Sequence, residues 1–384
     1  MDALMLPLNW QKVRLGDIAE IKRGASPRPI ENPKWFCTNS NVGWVRISDI
    51  SKNSRFLYKT AQKLSKKGIE KSRFIKQNSL IMSMCATIGK PIITKIDTCI
   101  HDGFVVFENP KIDLNYLYYF LCYIEKEWLE SGQQGSQVNL NVDLIKNKEV
   151  FCPKDLDEQA AIANILSDVD RYLYSLDALI LKKESVKKAL SFELLSQRKR
   201  LKGFNQAWQR VRLGDILSYE QPTKFLVATT QYLQKGFTPI LTAGKTFILG
   251  YTNDKHGIYT NIPVIIFDDF TTDSKMVNFP FKVKSSAIKI LSLRDNNQAD
   301  LKYIYEKLTL LKHQVTDHKR YWIDEFSNIE ILLPPLNEQA AIANILSDVD
   351  SEIISLKNKK RQFENIKKAL NHDLMSAKIR VLNK

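Results

Sequence analysis

Two long stretches of the chain carry apolar residues at spacings of three and four, and they fall at matching places in its two halves. In the first, Ile162, Leu166, Val169, Leu173, Leu176 and Ile180 are followed by Val186, Leu190 and Leu194. In the second, Ile342, Leu346, Val349, Ile353 and Leu356 are followed by Phe363, Ile366, Leu370 and Leu374. This spacing is that of a coiled-coil seam. Lys183, Lys187, Lys360 and Lys367 interrupt it, so imperfect distal pairing is predicted. Asp157 and Asn337 are placed to cap the helix starts, and Glu158 and Glu338 follow where the helix dipole favours an anion. Pro153 and Pro334-Pro335 bar earlier extension, and Gly203 suits a stop for the first helix. A helix from Glu158 to about Lys202 would be about 65 Å long.

The stretches upstream read differently. Val264–Phe267 and Ser79–Ser83 are apolar runs of strand length, while Leu114–Leu129 and Asp300–Leu311 show helical spacing. Gly- and Asn-rich turns such as Gly250–Asp254 separate them. The pattern predicts an α+β protein with two mixed α/β domains, separated by a pair of long antiparallel coiled-coil helices. The domains are 1–153 and 204–333, and the helical spacers are 154–203 and 334–384.

The two halves are a tandem repeat. Trp10–Ile18 (WQKVRLGDI) recurs as Trp208–Ile216 with only Lys12 changed to Arg210, and EQAAIANILSDVD occurs without change at Glu158–Asp170 and Glu338–Asp350. Farther along the helices, Arg171–Arg200 and Ser351–Arg380 agree at only 10 of 30 positions, so strict identity is confined to one short patch. On a helical wheel Ile162, Ile165, Leu166 and Val169 form an apolar stripe. Opposite it lie Ala160, Ala163, Asn164 and Ser167, repeated as Ala340, Ala343, Asn344 and Ser347. A small, uncharged face lets another backbone approach closely. Packing alone accounts for the apolar stripe but leaves Asn164, Ser167, Asp168 and Asp170 without a reason to stay fixed. The sequence therefore predicts a docking face used twice, for two copies of one partner, on an approximate two-fold internal repeat.

Charge adds a second partner. The net charge is +15, spread along the chain and not gathered in a tail, which suits an extended polyanion contacted by folded domains. No apolar run approaches the roughly 20 residues of a membrane span, and no export signal is read. The five cysteines lack any C-x-x-C spacing, which argues against a disulfide framework and for the cytoplasm.

Catalytic signatures are sparse. There is no phosphate loop, HExxH or post-strand GxGxxG, and the five histidines are scattered. A strand running into Asp268 and Asp269, with Lys275 beyond, loosely suggests a metal-dependent nuclease. A strand ending in a polar turn explains the same residues. A coiled-coil scaffold that binds only proteins is the other alternative.

Taken together, the paired WQxVRLGDI starts, the Leu333–Gln339 helix entry (LPPLNEQ) and the repeated EQAAIANILSDVD resemble the specificity subunit of type I restriction–modification enzymes. Gly43–Ile50, Thr87–Lys90, Gly132–Asn141, Leu241–Tyr251 and Phe279–Ser286 are similar to that family's target-recognition domains. Pro153-Lys-Asp-Leu156 departs from the family's double proline. The resemblance implies a non-catalytic subunit whose two heads each read half of a bipartite, asymmetric site in double-stranded DNA. Its paired helices would set the gap and dock two methyltransferase subunits, and restriction subunits would join through them. S-adenosylmethionine, ATP and Mg²⁺ would sit on those partner subunits, with no cofactor on this chain. Base readout calls for Arg, Lys, Asn or Gln side chains. The candidates are Lys22, Arg23, Arg28, Lys34 and Arg46 in the first head. In the second they are Lys245, Lys255, Lys275, His318, Lys319 and Arg320.

Overall fold

The computed structural model describes residues 7–51, 55–130, 140–228, 231–242, 246–311 and 321–381. The chain divides into two compact units, 1–176 with 359–384, and 177–358. Both boundaries fall inside the long helices, so each head is grouped with half of each helix.

In the first unit a five-stranded sheet has the order Glu20–Arg23, Phe104–Glu108, Leu80–Ser83, Pro91–Thr94, Phe56–Leu57. A four-stranded sheet follows the order Gln62–Lys63, Gly43–Val45, Thr98–Ile100, Arg73–Ile75. The second unit has a four-stranded sheet (Leu217–Glu220, Ile288–Leu293, Val264–Asp268, Ser274–Val277) and a three-stranded one (Ile248–Thr252, Thr238–Leu241, Lys282–Val283). The expected strands and helices are thus present, with the Leu114–Leu129 pattern divided into Leu114–Tyr123 and Glu125–Glu130.

Each repeated RLGD start follows one plan. Trp10–Arg14 pairs antiparallel with Glu149–Pro153, and Gln209–Arg212 with Glu330–Leu333. A one-turn helix follows, Leu15–Ile18 or Leu213–Ile216. Its glycine lies close to neighbouring backbone: a Cβ on Gly16 would be 3.2 Å from the Lys146 carbonyl oxygen, and one on Gly214 3.0 Å from that of Ser327. The repeated glycine is therefore a packing requirement.

The long helices run Leu156–Leu195 and Leu336–Met375, 40 residues each. They start two residues earlier than the capping pattern predicts. Asp155 caps the first, its carboxylate accepting from the Asp157 amide at 3.0 Å, so Asp157 and Asn337 lie in the first turn. They also end sooner. Gln197 (φ +63°) and Ala377 (φ +58°) take the left-handed conformation just past the ends, the geometry that closes a helix C-terminus. Gly203, at φ +93°, belongs to a later turn.

Within each unit the two helix halves run antiparallel. In the first, Tyr172 packs on Phe363 with ring centroids 4.5 Å apart, and Asp170 meets Lys367 at 2.5 Å. In the second, the pseudo-equivalent positions are Lys183 against Glu352 at 2.7 Å and Lys187 against Asp350 at 2.6 Å. Lys183, Lys187 and Lys367, which interrupt the apolar pattern, are therefore seam residues with acidic partners on the other helix, whereas Lys360 pairs with Glu364 of its own helix. Val186 and Ile366, by contrast, point outward.

A Glu-Gln pair locks each head to its helix. Glu158 accepts from the Trp10 indole at 3.2 Å and from the Asn9 amide at 2.7 Å. Glu338, fully buried, accepts from the Trp208 indole at 3.0 Å and from Arg200 at 2.7 and 3.1 Å. Gln159 accepts the backbone amide of Asp113 at 2.8 Å and donates to the Pro153 carbonyl at 2.8 Å. Gln339 does the same with Asp300 at 2.9 Å and Pro334 at 2.7 Å. Asp113 and Asp300 in turn cap Leu114–Tyr123 and Leu301–Leu310, so each glutamine ties a capped docking helix to the long one. Glu338→Ala should lower the unfolding free energy by about 2–3 kcal/mol, the scale of charged hydrogen bonds. Urea denaturation measures this, and a loss under about 0.5 kcal/mol would show that the contact is not structural.

Candidate functional site

The repeated helix segment is fixed partly by the molecule itself. Ile162 and Leu166 are buried as expected, but Ala163 and Ala343, expected on the outward face, are only 2% and 3% exposed. They lie in the cores of their heads. The wheel placed them outside because it allowed for one packed face, whereas the head and the second helix cover two. Ile165, counted in the apolar stripe, is exposed. Ser167 accepts a 2.6 Å bond from Arg55, whose guanidinium also donates to Asn115 at 2.6 Å and lies over the Tyr119 ring. Asp170 takes Lys367 and the Tyr119 hydroxyl, and Asp350 takes Lys187 and Lys302. Intramolecular contacts thus account for Ser167, Asp170 and its copy Asp350, but not for exposed Asn164 and Asp168.

What stays outward and identical is a rotated face. Asn164, Asn344, Asp168 and Asp348 are exposed, and Ala161, Ala341, Ala160, Ala340 and Ser347 are half-buried. With exposed Ile165, and with Ile345, which is partly buried against the core of the second head, they form an i, i+3, i+4, i+7 set, Ala161-Asn164-Ile165-Asp168 and its copy, along one side of the helix.

In the first head the turn at 101–103 gathers several basic candidates. Arg23 Nε donates to the Asp102 carbonyl at 2.8 Å, Arg28 meets the Asp102 carboxylate at 3.0 Å, and Arg73 donates to the Arg23 carbonyl at 2.6 Å. Burial alone would raise the Asp102 carboxyl, but the Ser26 hydroxyl bond and the Arg28 charge outweigh it and hold the group below its usual range. An ionised Asp102 therefore orients Arg28, while its backbone orients Arg23. Arg73 had no signal in the sequence, because only the sheet order brings it here. Arg46 donates to Gln62 at 3.0 Å, and Lys34 lies over the Trp35 ring at 4.3 Å. Lys22 is the weakest candidate, since Glu108 at 2.5 Å and Glu20 at 2.9 Å both engage it.

In the second head Lys255 and Lys275 are exposed, whereas Lys245, His318, Lys319 and Arg320 lie outside the described residues. The carboxylates of the nuclease alternative are engaged elsewhere. Asp268 accepts from the Phe270 amide and the Thr271 hydroxyl, and Asp269 from the Trp322 amide at 2.9 Å while pairing with buried Lys289 at 2.8 Å. This is a strand ending in a polar turn. Among the described residues no cluster of three acidic, His or Cys side chains could hold a metal, and no helix is long and apolar enough to cross a membrane.

Two mixed α/β heads built on one repeated helix frame define the class. The chain matches the family described as type I restriction modification DNA specificity domain over residues 7–183 and 205–365, and it belongs to that family. It is 47% identical over 166 residues to the specificity subunit of the type I restriction enzyme EcoR124I/EcoR124II of Escherichia coli, a match spanning 42% of this chain and 39% of that relative. The putative MjaX specificity subunit of Methanocaldococcus jannaschii is 26% identical across 98% of this chain and 95% of its own length. Among solved structures, the S subunit of the M. genitalium type I system shares the fold, with a TM-score of 0.63 at 16% identity over 97% of each chain.

The burial difference along the repeated segment has a direct consequence. Ala163→Arg should cost several kcal/mol by forcing a charge into a core. Asn164→Arg, on the same helix, should stay within about 0.5 kcal/mol of the parent in thermal unfolding. Equal stabilities would contradict this assignment of faces.

Proposed function

We propose that this chain is the non-catalytic, sequence-reading subunit of its type I system. Each head would read one half of a bipartite site in double-stranded DNA, and the paired long helices would set the gap between the halves. The observation that carries this reading is the contrast between the two halves: one outward helix face is unchanged, while the surfaces of the heads have diverged. Identical faces suit two identical partners, the methyltransferase subunits, through which restriction subunits would join. Different head surfaces suit two different half-sites. S-adenosylmethionine, ATP and Mg²⁺ belong, in this reading, to those partner subunits.

In the first head, Arg23, Arg28 and Arg73 have the fork geometry for phosphate or guanine contacts, and Lys34 and Arg46 extend that basic surface. In the second, Lys255 and Lys275 take this role, with Lys245, His318, Lys319 and Arg320 as further candidates. The partner face is Ala161, Asn164, Ile165 and Asp168 with its copy, flanked by Ala160 and Ser167 and by Ala340 and Ser347.

Mapping methylated bases in DNA treated with the complex of this chain and its methyltransferase should return a split site. Deleting one heptad from each long helix removes about 10 Å of helix and should shorten the gap by about three base pairs at 3.4 Å each, with both half-sites unchanged. Altered half-sites would overturn the spacer role. Asn164→Arg with Asn344→Arg should leave the chain folded but abolish co-purification with the methyltransferase. Normal assembly would overturn the assignment of this face.

A further inference from the structure

The second head holds an aromatic ring out in solvent. Phe237 is 91% exposed, and a lone exposed apolar residue is ordinary, but the surroundings of this one are built. Its amide donates to Asn253 Oδ1 at 3.2 Å, and Leu233 and Tyr251 exchange backbone hydrogen bonds at 2.9 Å each. Gly236 is needed for the approach, since a Cβ there would stand 2.9 Å from that of Tyr251. The ring therefore sits at the end of the Thr238–Leu241 and Ile248–Thr252 ladder on a fixed backbone.

The adjoining loop 253–257 is fixed as well. Lys282, 5% exposed in its side chain, reaches the Asp254 carboxylate at 2.6 Å and the His256 carbonyl at 2.7 Å. Gly257, at φ +60°, lies against the Lys224 carbonyl, where a Cβ would come within 2.7 Å. The result is a fixed loop cluster: exposed Lys235 is two residues from Phe237, exposed Lys255 is two residues from its partner Asn253, and exposed Lys224 meets Gly257 of the same loop through its carbonyl. Asp254, the acid among them, is engaged by Lys282. The corresponding strand of the first head, Gly43–Val45, shares the pairing pattern of one antiparallel and one parallel neighbour. It is preceded by Asn41 and Val42, so the ring is peculiar to the second head.

We propose that Phe237 packs its ring against the base stack of the half-site read by the second head, while Lys224, Lys235 and Lys255 hold the flanking phosphates. This rests on the DNA-reading role above and adds to it a contact that is neither a hydrogen bond nor a charge. Aromatic rings gain comparable energy from every base because each has a π-face. Wedges of this kind also favour deformable base steps, so Phe237 would contribute specificity through the shape of the duplex. Lys282 acts as a positioning residue, since it holds the loop and is too buried to reach DNA.

The test uses the complex of the full chain with its methyltransferase, and a fluorescein-labelled duplex carrying the methylation-mapped site. Phe237→Ala should weaken binding about ten-fold, on the scale of one lost base stack, with an unchanged slope of affinity against salt. Phe237→Trp should retain wild-type affinity. Lys235→Ala or Lys255→Ala should instead lower the salt slope by about one. Phe237→Ala binding within two-fold of wild type, or Phe237→Trp binding as weakly as Phe237→Ala, would overturn the stacking role and leave DNA reading intact. Wild-type complex with no preference for the mapped duplex would overturn the DNA-reading role itself.

Discussion

The structure depends on one buried contact made twice, the glutamate at the start of each long helix accepting from a tryptophan indole. A carboxylate taken out of water is costly unless its oxygens are satisfied. Glu158 and Glu338 meet that condition with donors drawn from distant parts of the chain. The adjacent glutamine extends the same logic to the docking helix, whose first backbone amides need acceptors. Strand, docking helix and long helix are thus held at one corner, and the sheets of each head are built outward from it. This explains why the tryptophan of WQxVRLGDI and the EQ of the helix repeat recur together although they are far apart in sequence.

Satisfaction of polar groups also governs the helix pairing. The seam takes Lys183, Lys187 and Lys367 because each has an acid across from it, and the solution differs between the units. Tyr119 and Arg55 complete the Asp170 site in one, while Glu306 and Lys302 complete the Asp350 site in the other. The helix residues are shared, and the head supplies the difference. The same division runs through the basic surfaces: a common frame orients them, and local turns such as 101–103 set which arginines converge.

Much of this was legible in the sequence because it rested on periodicity and repetition. The long helices, the strand at Val264–Asp268 and the tandem plan follow from spacing alone. Ala163 was misplaced because a wheel cannot show how many neighbours press on a helix, and Val186 because seam periodicity drifts over a long helix. The caps moved to Asp155, Gln197 and Ala377 because helix ends are set by local geometry that several residue types can adopt. Arg55 and Arg73 left no trace, since tertiary contacts alone define them. Arg200 and Arg380 could have been found: both are among the few repeated positions beyond the identical segment, and both reach a latch glutamate.

The division of the chain into units also bears on the order in which they can be completed during synthesis. The second unit is one continuous stretch, 177–358, whereas the first needs residues 359–381 to cover its core. Leu374 and Met375 lie in that core, and Arg380 donates to Asn9 beside Glu158. Emerging N-terminal first, the first head would wait on the ribosome with its core lacking Leu374 and Met375 and with the Asp170–Tyr172 side of its helix uncovered. The second head would already have everything it needs. The half of the protein made first would therefore be the half finished last, and its open helix face would be the part most in need of a chaperone.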